Sequence, residues 1–270
     1  NDFKIMDNLF YKYNLGTNQL QYVDDLQNDT DFDTDIDDQS PNNYMYDGLG
    51  NLKQDLKSGV IEMRWSVYNK ILEVDKSNDE STKFGYDALQ NRVYKELEDD
   101  GDLEEATYYI RDIQGNIIAV YTEVGDTDPI LTWSEQYLYG SGRLGVFRPD
   151  AIVQNDTTPP LFLQQEKLYQ GNRQFELTNH LGNVLLTISD RRRGVDNNAN
   201  GFVDYYEPVV ITAQDYFPFG MEMVGRSYNV NGLSTRFGFN GKETDKNGEF
   251  GNINHLNYGD RIGNPALGKF

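Results

Sequence analysis

The chain has 270 residues, with 44 acidic and 24 basic side chains and a formal net charge of −20. This charge argues against a nucleic-acid-binding protein, which needs a basic face, and against electrostatic docking to an anionic membrane. The chain has no cysteine, so disulfides, thiol nucleophiles and thiolate metal sites are excluded. The pattern also predicts neither a membrane span nor a signal peptide, because no long apolar run or basic-then-apolar start is found.

A short unit repeats along the chain, in which Asp or Asn is followed four residues later by Asn. The copies are YKYNLGTNQL (11–20), YMYDGLGNLK (44–53), FGYDALQNRV (84–93), YIRDIQGNII (109–118) and ELTNHLGNVL (176–185). Alternating tyrosines predict a strand with one buried face, and the Asp, Gly and Asn residues favour a tight turn. Two shortened copies, WSVYNKIL (65–72) and YLYGSGRL (137–144), extend the pattern. Repeats without a helical period predict stacked β-hairpins.

These repeats resemble the YD repeats of RHS-repeat proteins and of the related teneurins. The later segments NHLGNVLLTISD, DYFPFGM, RFGFNGKE and YGDRIGNPALGKF resemble the RHS repeat-associated core that ends such arrays. The resemblance implies an all-β fold, in which YD-repeat hairpins form a curved or spiralling, shell-like sheet closed by a C-terminal core domain. We therefore expect a hairpin strip at 1–190, an inserted loop at 191–208 and a core end-unit at 209–270.

The resemblance also implies a non-enzymatic structural segment of a bacterial shell, secreted or at the cell surface. Such a segment belongs to a larger protein that encloses or presents a C-terminal effector. The expected partners are the remainder of the shell or another subunit, with secretion machinery or an enclosed effector in addition. Because residue 1 falls just before a repeat-like unit, we expect the chain to be a piece of something longer. The alternative is a surface adhesin for a glycan or a protein.

A second alternative is a self-cleaving aspartyl protease core that releases a C-terminal toxin, since many RHS cores resemble such proteases. In LNYGDRIGNPALGKF (256–270), the two aspartates of the family pattern fall on Asn257 and Asn264. An amide cannot act as a carboxylate general base, so we predict no catalytic residue there. The only histidines, His180 and His255, are scattered, and no Ser-His-Asp arrangement can be argued from them.

The segment DNNANGFVDYYE (196–207) matches the EF-hand loop template. Side-chain oxygens occupy the ligand positions, and Gly201 allows the sharp turn between them. The flanking segments have a strand pattern, so we expect an isolated calcium loop between two strands rather than a paired helix-loop-helix. A polar, Asn-rich surface hairpin is the alternative. The predicted Ca²⁺ ligands are Asp196, Asn198, Asn200, the carbonyl of Phe202, Asp204 and Glu207.

Two further expectations concern segments outside the repeats. The acidic stretch at 24–40, with alternating aspartates from Asp31 to Asp37, predicts a long solvated loop between strands, with a second ion site as the alternative. Residues 216–270 are expected to pack as an end-unit against the strip, because DYFPFGM and RFGFNGKE combine Pro and Gly with aromatic residues. We expect Phe219 and Phe237 to be buried in that unit.

Overall fold

The computed structural model describes residues 7–27, 36–154, 169–230, 232–251 and 254–270. Strands make up 55% of the described residues and helix 3%, as two 3-10 turns at Pro218–Gly220 and Phe239–Gly241. The strands in the described residues are β1 (Leu9–Tyr13), β2 (Leu20–Asp25), β3 (Tyr44–Tyr46), β4 (Leu52–Asp55), β5 (Val60–Trp65), β6 (Ile71–Lys76), β7 (Glu80–Tyr86), β8 (Arg92–Asp99), β9 (Asp102–Arg111), β10 (Ile117–Val124), β11 (Ile130–Tyr139), β12 (Arg143–Phe147), β13 (Ala151–Gln154), β14 (Arg173–Thr178), β15 (Val184–Val195), β16 (Tyr205–Tyr216), β17 (Glu222–Asn229), β18 (Glu243–Asp245), β19 (His255–Asn257) and β20 (Ile262–Gly263).

Most of these strands form one open antiparallel sheet, with the order β17-β16-β15-β14-β12-β11-β10-β9-β8-β7-β6-β5-β4-β3 and with β13 paired to β11. Strands β1 and β2 form a separate hairpin, and β18, β19 and β20 form a three-stranded sheet. Neighbours in the sequence are almost always neighbours in the main sheet. The expectation of an all-β array of hairpins is therefore confirmed.

The predicted turns join antiparallel strands, and each is held by the Asp or Asn that begins it. In the turn at 87–91, Asp87 Oδ1 accepts hydrogen bonds from the backbone N–H groups of Leu89 and Asn91, both at 2.8 Å. The N–H of Asn91 keeps the pKa of the Asp87 carboxyl below its ordinary value. The same pair of bonds forms in the turns that begin at Asp47, Asp112 and Asn179.

At five of the turns, the residue just before the turn fastens its hairpin to the preceding one. Its polar tip donates a hydrogen bond to the backbone carbonyl that follows the preceding turn, while its ring packs between the hairpins. The donor and acceptor residues are Trp65 and Leu52 (2.7 Å), Tyr86 and Ile71 (2.9 Å), Tyr139 and Ile117 (2.9 Å), and Tyr216 and Val184 (3.1 Å). In the repeat at 109–118 this position holds Arg111, whose Nε donates to the carbonyl of Arg92 at 2.7 Å. We call this series the inter-hairpin ladder.

The C-terminal segment, defined as residues 234–270, packs against the strip at three hydrophobic clusters. Phe237 joins a cluster of residues from β9 to β12 and β15, where its ring meets Tyr137 edge-on at 5.3 Å between centroids. Phe250 stacks on Phe84 of β7 at 5.9 Å, and Leu267 packs against residues of β2 and β3. The segment thus spans the strip from its middle to its N-terminal hairpins. By contrast, β16 and β17 continue the main sheet as far as Asn229.

The expectation that Phe219 is buried was wrong, whereas Phe237 is buried as expected. Phe219 is 63% exposed and has a left-handed φ of 75°. It lies third in the turn at 217–221, the position that Leu49 and Leu89 occupy in their repeats, and these side chains are exposed too. Phe237 comes immediately before the turn at 238–242, where the ladder residues of the repeats point inward.

Candidate functional site

The predicted calcium loop connects β15 to β16 and is ordered by its own side-chain oxygens. Asp196 accepts hydrogen bonds from the backbone N–H groups of Asn198, Asn200 and Gly201, at 3.2, 3.2 and 2.7 Å. The bond from Gly201 N–H is the main reason that the pKa of Asp196 lies below its ordinary value. Gly201 has a left-handed φ of 86°, as the sharp turn requires.

The remaining predicted ligands divide into two groups. Asn200 Oδ1 accepts a bond from the N–H of Phe202 at 2.8 Å, and Asp204 Oδ2 accepts one from the N–H of Asn197 at 2.8 Å. These oxygens belong to the loop itself. Glu207 lies on β16 instead, directly opposite Arg193 of β15, and its carboxylate forms an ion pair with that guanidinium. Among the described residues, no three or more His, Asp or Glu side chains form a cluster placed to hold a metal ion.

A second site is the interface between the strip and the C-terminal segment, where charged side chains are buried in pairs. Lys95 of β8 contacts Glu249 at 2.6 Å, with the two side chains 6% and 0% exposed. Arg92 of the same strand contacts Asp245 of β18 through both carboxylate oxygens, at 2.7 and 3.3 Å. Desolvated ions are stable only when they are paired and hydrogen-bonded, so these contacts fix how the segment sits on the strip.

The middle of this interface holds a network around Arg236. Its guanidinium contacts Glu135 of β11 at 2.7 Å and Glu243 of β18 at 3.0 Å. Tyr137 also donates a hydrogen bond to Glu135, at 2.5 Å. Burial by itself raises the pKa of the Glu243 carboxyl, but the guanidinium groups of Arg236 and Arg92 lower it to about 2. Glu243 is therefore ionised at neutral pH.

Two lysines of the strip bind backbone carbonyls of the C-terminal segment. Lys76 Nζ donates to the carbonyl of Gly248 at 2.8 Å. Lys70 Nζ donates to the carbonyl of Gly259 at 2.8 Å and contacts the carboxylate of Asp260 at 3.0 Å. Lys70 and Lys76 begin and end the β6 region, so the contacts attach the segment at two separate points.

The two positions that carry aspartate in the family pattern are used structurally. Asn257 Oδ1 accepts a hydrogen bond from the N–H of Gly259 at 2.8 Å. Asn264 Oδ1 accepts bonds from the N–H groups of Ala266 and Leu267, at 3.1 and 3.0 Å. Each amide therefore holds a local turn, and the two side chains line different cavities.

Sequence reasoning missed the buried ion pairs, because each joins residues that are far apart in the chain. Lys95 and Glu249 are separated by 154 positions, and no local pattern links them. The cations themselves gave no local signal, because the burial of Arg92 and Lys95 in β8 is visible only in the structure. A buried cation requires an anionic partner, but the acidic residues at 243–249 are only a few of the 44 in the chain.

Comparison with known proteins supports the fold. No family model matches the chain. Salivary gland surface protein 1 of Aedes aegypti is 24% identical over 235 residues, which cover 84% of this chain and 6% of that protein. The crystal structure of TcdB2-TccC3-TEV superimposes with a TM-score of 0.52 at 14% identity, covering 96% of this chain and 12% of that one.

The crystal structure of TcdB2-TccC3 without its hypervariable C-terminal region gives a TM-score of 0.49 at 14% identity, over the same shares of the two chains. The chain thus spans a small part of each of these three proteins. The likeness to TcdB2-TccC3-TEV extends over nearly the whole chain and concerns its fold, a large antiparallel strip of hairpins. No helix in the described part of the chain is both long and apolar enough to cross a membrane.

Proposed function

We propose that this chain is a non-enzymatic structural segment of an RHS-repeat shell, and that its C-terminal segment closes the segment by covering the hairpin strip from its middle to its N-terminal hairpins. The observation that carries the proposal is the buried, charge-paired interface between the two. Pairs such as Lys95–Glu249 hold the segment in one position on the sheet. The inter-hairpin ladder likewise serves to join repeats into a continuous wall.

The proposal extends to a larger protein, secreted or at the cell surface, that encloses or presents an effector beyond this chain. Its support is the similarity to small portions of a surface protein and of the TcdB2-TccC3 structure, of which the chain matches 6% and 12%. The partners in this proposal are the remainder of the shell or another subunit. Secretion machinery and an enclosed effector are further partners.

The experiment extends the chain past Phe270 with a reporter domain and follows the product by mass spectrometry. A structural segment yields an intact fusion, and hydrogen exchange should show strong protection at Phe237, Phe250 and Leu256, which are buried at the interface. A fragment that begins after the core motif, and that disappears when a nearby aspartate is replaced, would support self-cleavage instead. Exchange in the segment as fast as in a free peptide would contradict the capping role.

We further propose that the loop at 196–204 binds Ca²⁺ and thereby fixes the ends of β15 and β16. The loop oxygens of Asp196, Asn198, Asn200 and Asp204 and the carbonyl of Phe202 match the hard ligands that calcium prefers. Glu207 completes the set when its carboxylate leaves Arg193. The charge count is low, so we expect a weak site, with a Kd of roughly 10⁻⁴ to 10⁻³ M. Calcium bound only by the folded form would stabilise it by mass action.

Titration calorimetry and melting curves with calcium, magnesium or chelator test this site. Asp196→Ala should abolish the calcium effect, whereas Asp126→Ala, in the β10–β11 connection, is the matched control and should leave it unchanged. Arg193→Gln should tighten binding, because Glu207 is then free to coordinate the ion. The calcium proposal fails if chelator leaves the wild-type melting curve unmoved and Arg193→Gln has no effect on calcium affinity.

A further inference from the structure

Strands β15 and β16 continue past their neighbours in the main sheet and form a two-stranded arm at 190–208. The pairing of β14 with β15 ends at Ser189, and the pairing of β17 with β16 extends no further than Thr212. No side chain between 190 and 208 is buried. Segments with few buried contacts open locally at low free-energy cost, so the arm can open while the rest of the sheet stays folded.

The backbone at the base of the arm has few partners, because the register of β15 shifts against β16. Ile188 pairs with Val210 and Arg192 pairs with Pro208, so three residues of β15 lie opposite Val209 alone. Such a bulge disrupts the hydrogen-bond ladder locally. Pro208 has no N–H to contribute to the ladder. The strand pairing therefore holds the chain only weakly at 189–192.

Side chains replace part of the missing ladder. The backbone N–H of Arg191 donates to Ser189 Oγ at 3.1 Å, and Arg191 Nε donates to the carbonyl of Gln170 at 2.7 Å. The carboxylate of Asp190 accepts the N–H of Gly171. The bond to Gln170 is exposed to solvent, so water can replace it when the chain moves away.

This weakly held stretch carries the only run of adjacent basic residues in the chain, the three arginines at 191–193. All three are exposed. The Arg193 guanidinium pairs with Glu207 across the arm, and the Arg192 guanidinium lies over the Tyr206 ring at 4.2 Å from its centre. Exposed contacts of this kind contribute little to stability. The arm therefore presents three adjacent cations on an extended backbone.

We propose that the arm is a processing site for an endoprotease that recognises paired arginines, with the cut after Arg192 or Arg193. The specificity pocket of such an enzyme is acidic and accepts an arginine side chain from an extended substrate. Hydrolysis breaks the C–N bond after the recognised arginine. Water supplies a hydroxyl to the carbonyl carbon and a proton to the new amine. A partner that only adds a strand would use the free edge but would not need adjacent cations, so the arginines favour a protease.

The cut leaves two chains that the fold still holds together. Strands β15 and β16 remain paired below the arm, at 186–188. The buried pairs Arg92–Asp245 and Lys95–Glu249 join the N-terminal fragment to the C-terminal one. Processing thus removes the covalent link between the strip and the C-terminal segment without separating them. In the processed protein, breaking noncovalent contacts alone is then enough to release the C-terminal fragment.

The test is digestion of the full chain with kexin, an endoprotease that cuts after paired basic residues, followed by intact-mass spectrometry. The native chain should be cut after Arg192 or Arg193 at a rate within about tenfold of that of a free peptide spanning 186–198, because only the arm has to open. A cut that required global unfolding would be slower by about 10³-fold or more. The two fragments should elute together in size-exclusion chromatography.

Two variants separate the structure of the arm from its sequence. Arg192→Gln with Arg193→Gln removes every pair of adjacent arginines and should abolish the cut. Ile110→Arg is the matched control, because it places a second pair beside Arg111 in β9, which has a neighbouring strand on each side. Ile110 is 45% exposed, so the sheet accommodates the change. The new pair should resist kexin in the native protein and be cut after urea unfolding and dilution.

The proposal is overturned if the native chain is cut about 10³-fold more slowly than the peptide, or if the pair at 110–111 is cut as fast as the arm. It is also overturned if the fragments separate on elution. A native dimer that resists kexin until it is diluted to monomers would show that the arm binds a second copy instead. Asp196→Ala removes a proposed calcium ligand and should be cut at least as fast as the wild type, so the calcium proposal and this one fail independently.

Discussion

Replacing Glu249 with Gln should loosen the C-terminal segment from the strip. The carboxylate of Glu249 is fully buried, contacts Lys95 Nζ at 2.6 Å and accepts the backbone N–H of Asn247 at 2.8 Å. The change leaves the Lys95 ammonium buried without a counter-ion, which typically costs about 3–5 kcal/mol. Total stabilities are about 5–15 kcal/mol, so the loss is a large fraction of what holds the segment in place.

The assay is urea denaturation together with limited proteolysis, and the segment should be cut before the strip. Glu62→Gln is the control, because the Lys53–Glu62 pair is 3.6 Å long with both side chains 46% exposed. An exposed pair of this kind contributes about 0–1 kcal/mol. Replacing both buried partners, Lys95→Met with Glu249→Leu, should recover most of the loss. If Glu249→Gln costs no more than Glu62→Gln, water reaches the pair and our account of the interface is wrong.

Three other changes test separate parts of the structure. Phe237→Ala should cost about 3–5 kcal/mol in thermal or urea unfolding, and Phe219→Ala less than about 1 kcal/mol, because only the former is buried. Asp87→Asn should keep stability within about 0.5 kcal/mol at neutral pH, since Asn179 forms the same turn, and equal losses for Asp87→Asn and Asp87→Ala would contradict this. The Glu243 carboxyl, whose pKa falls from 4.5 to about 2 on folding, stabilises the fold above pH 4.5, and this contribution should be lost as pH falls towards 2. Glu243→Gln should remove this acid dependence in a pH series of melting curves.

The turns were predictable from the sequence because all their determinants lie within five residues. Asp87 supplies the hydrogen-bond acceptor and the N–H of Asn91 donates to it, and β7 and β8 pair on either side of this turn without any distant contact. The partners of Lys95 and Arg92 were not predictable in this way, because burial of a cation depends on what the C-terminal segment brings to it. Forty-four acidic residues offered too many possible partners.

The contrast between Phe219 and Phe237 shows what the sequence pattern omitted. Both belong to motifs of Pro or Gly among aromatic residues, and composition alone treats them alike. Their positions relative to a five-residue turn differ: Phe237 precedes its turn, whereas Phe219 is at the tip. Aligning both motifs on the repeat turns would have assigned the pre-turn residue to the interior and the tip residue to solvent. In this fold, the position of a residue relative to the turn, rather than the local composition, predicts whether its side chain is buried.

The placement of the turns also explains why an extra loop is tolerated between β15 and β16. Successive connections in an antiparallel meander alternate between the two ends of the strands, so the repeat turns lie at the same end as the inter-hairpin ladder. Each ladder bond reaches a carbonyl immediately after the preceding turn. These bonds therefore fix the length of the turns at that end. The loop at 196–204 lies at the opposite end of the strands, where no ladder bond among the described residues constrains the connection. Insertions there cost mainly loop-closure entropy, which grows slowly with length. A loop of this length can therefore be carried at this end of the strands while the wall of hairpins stays continuous.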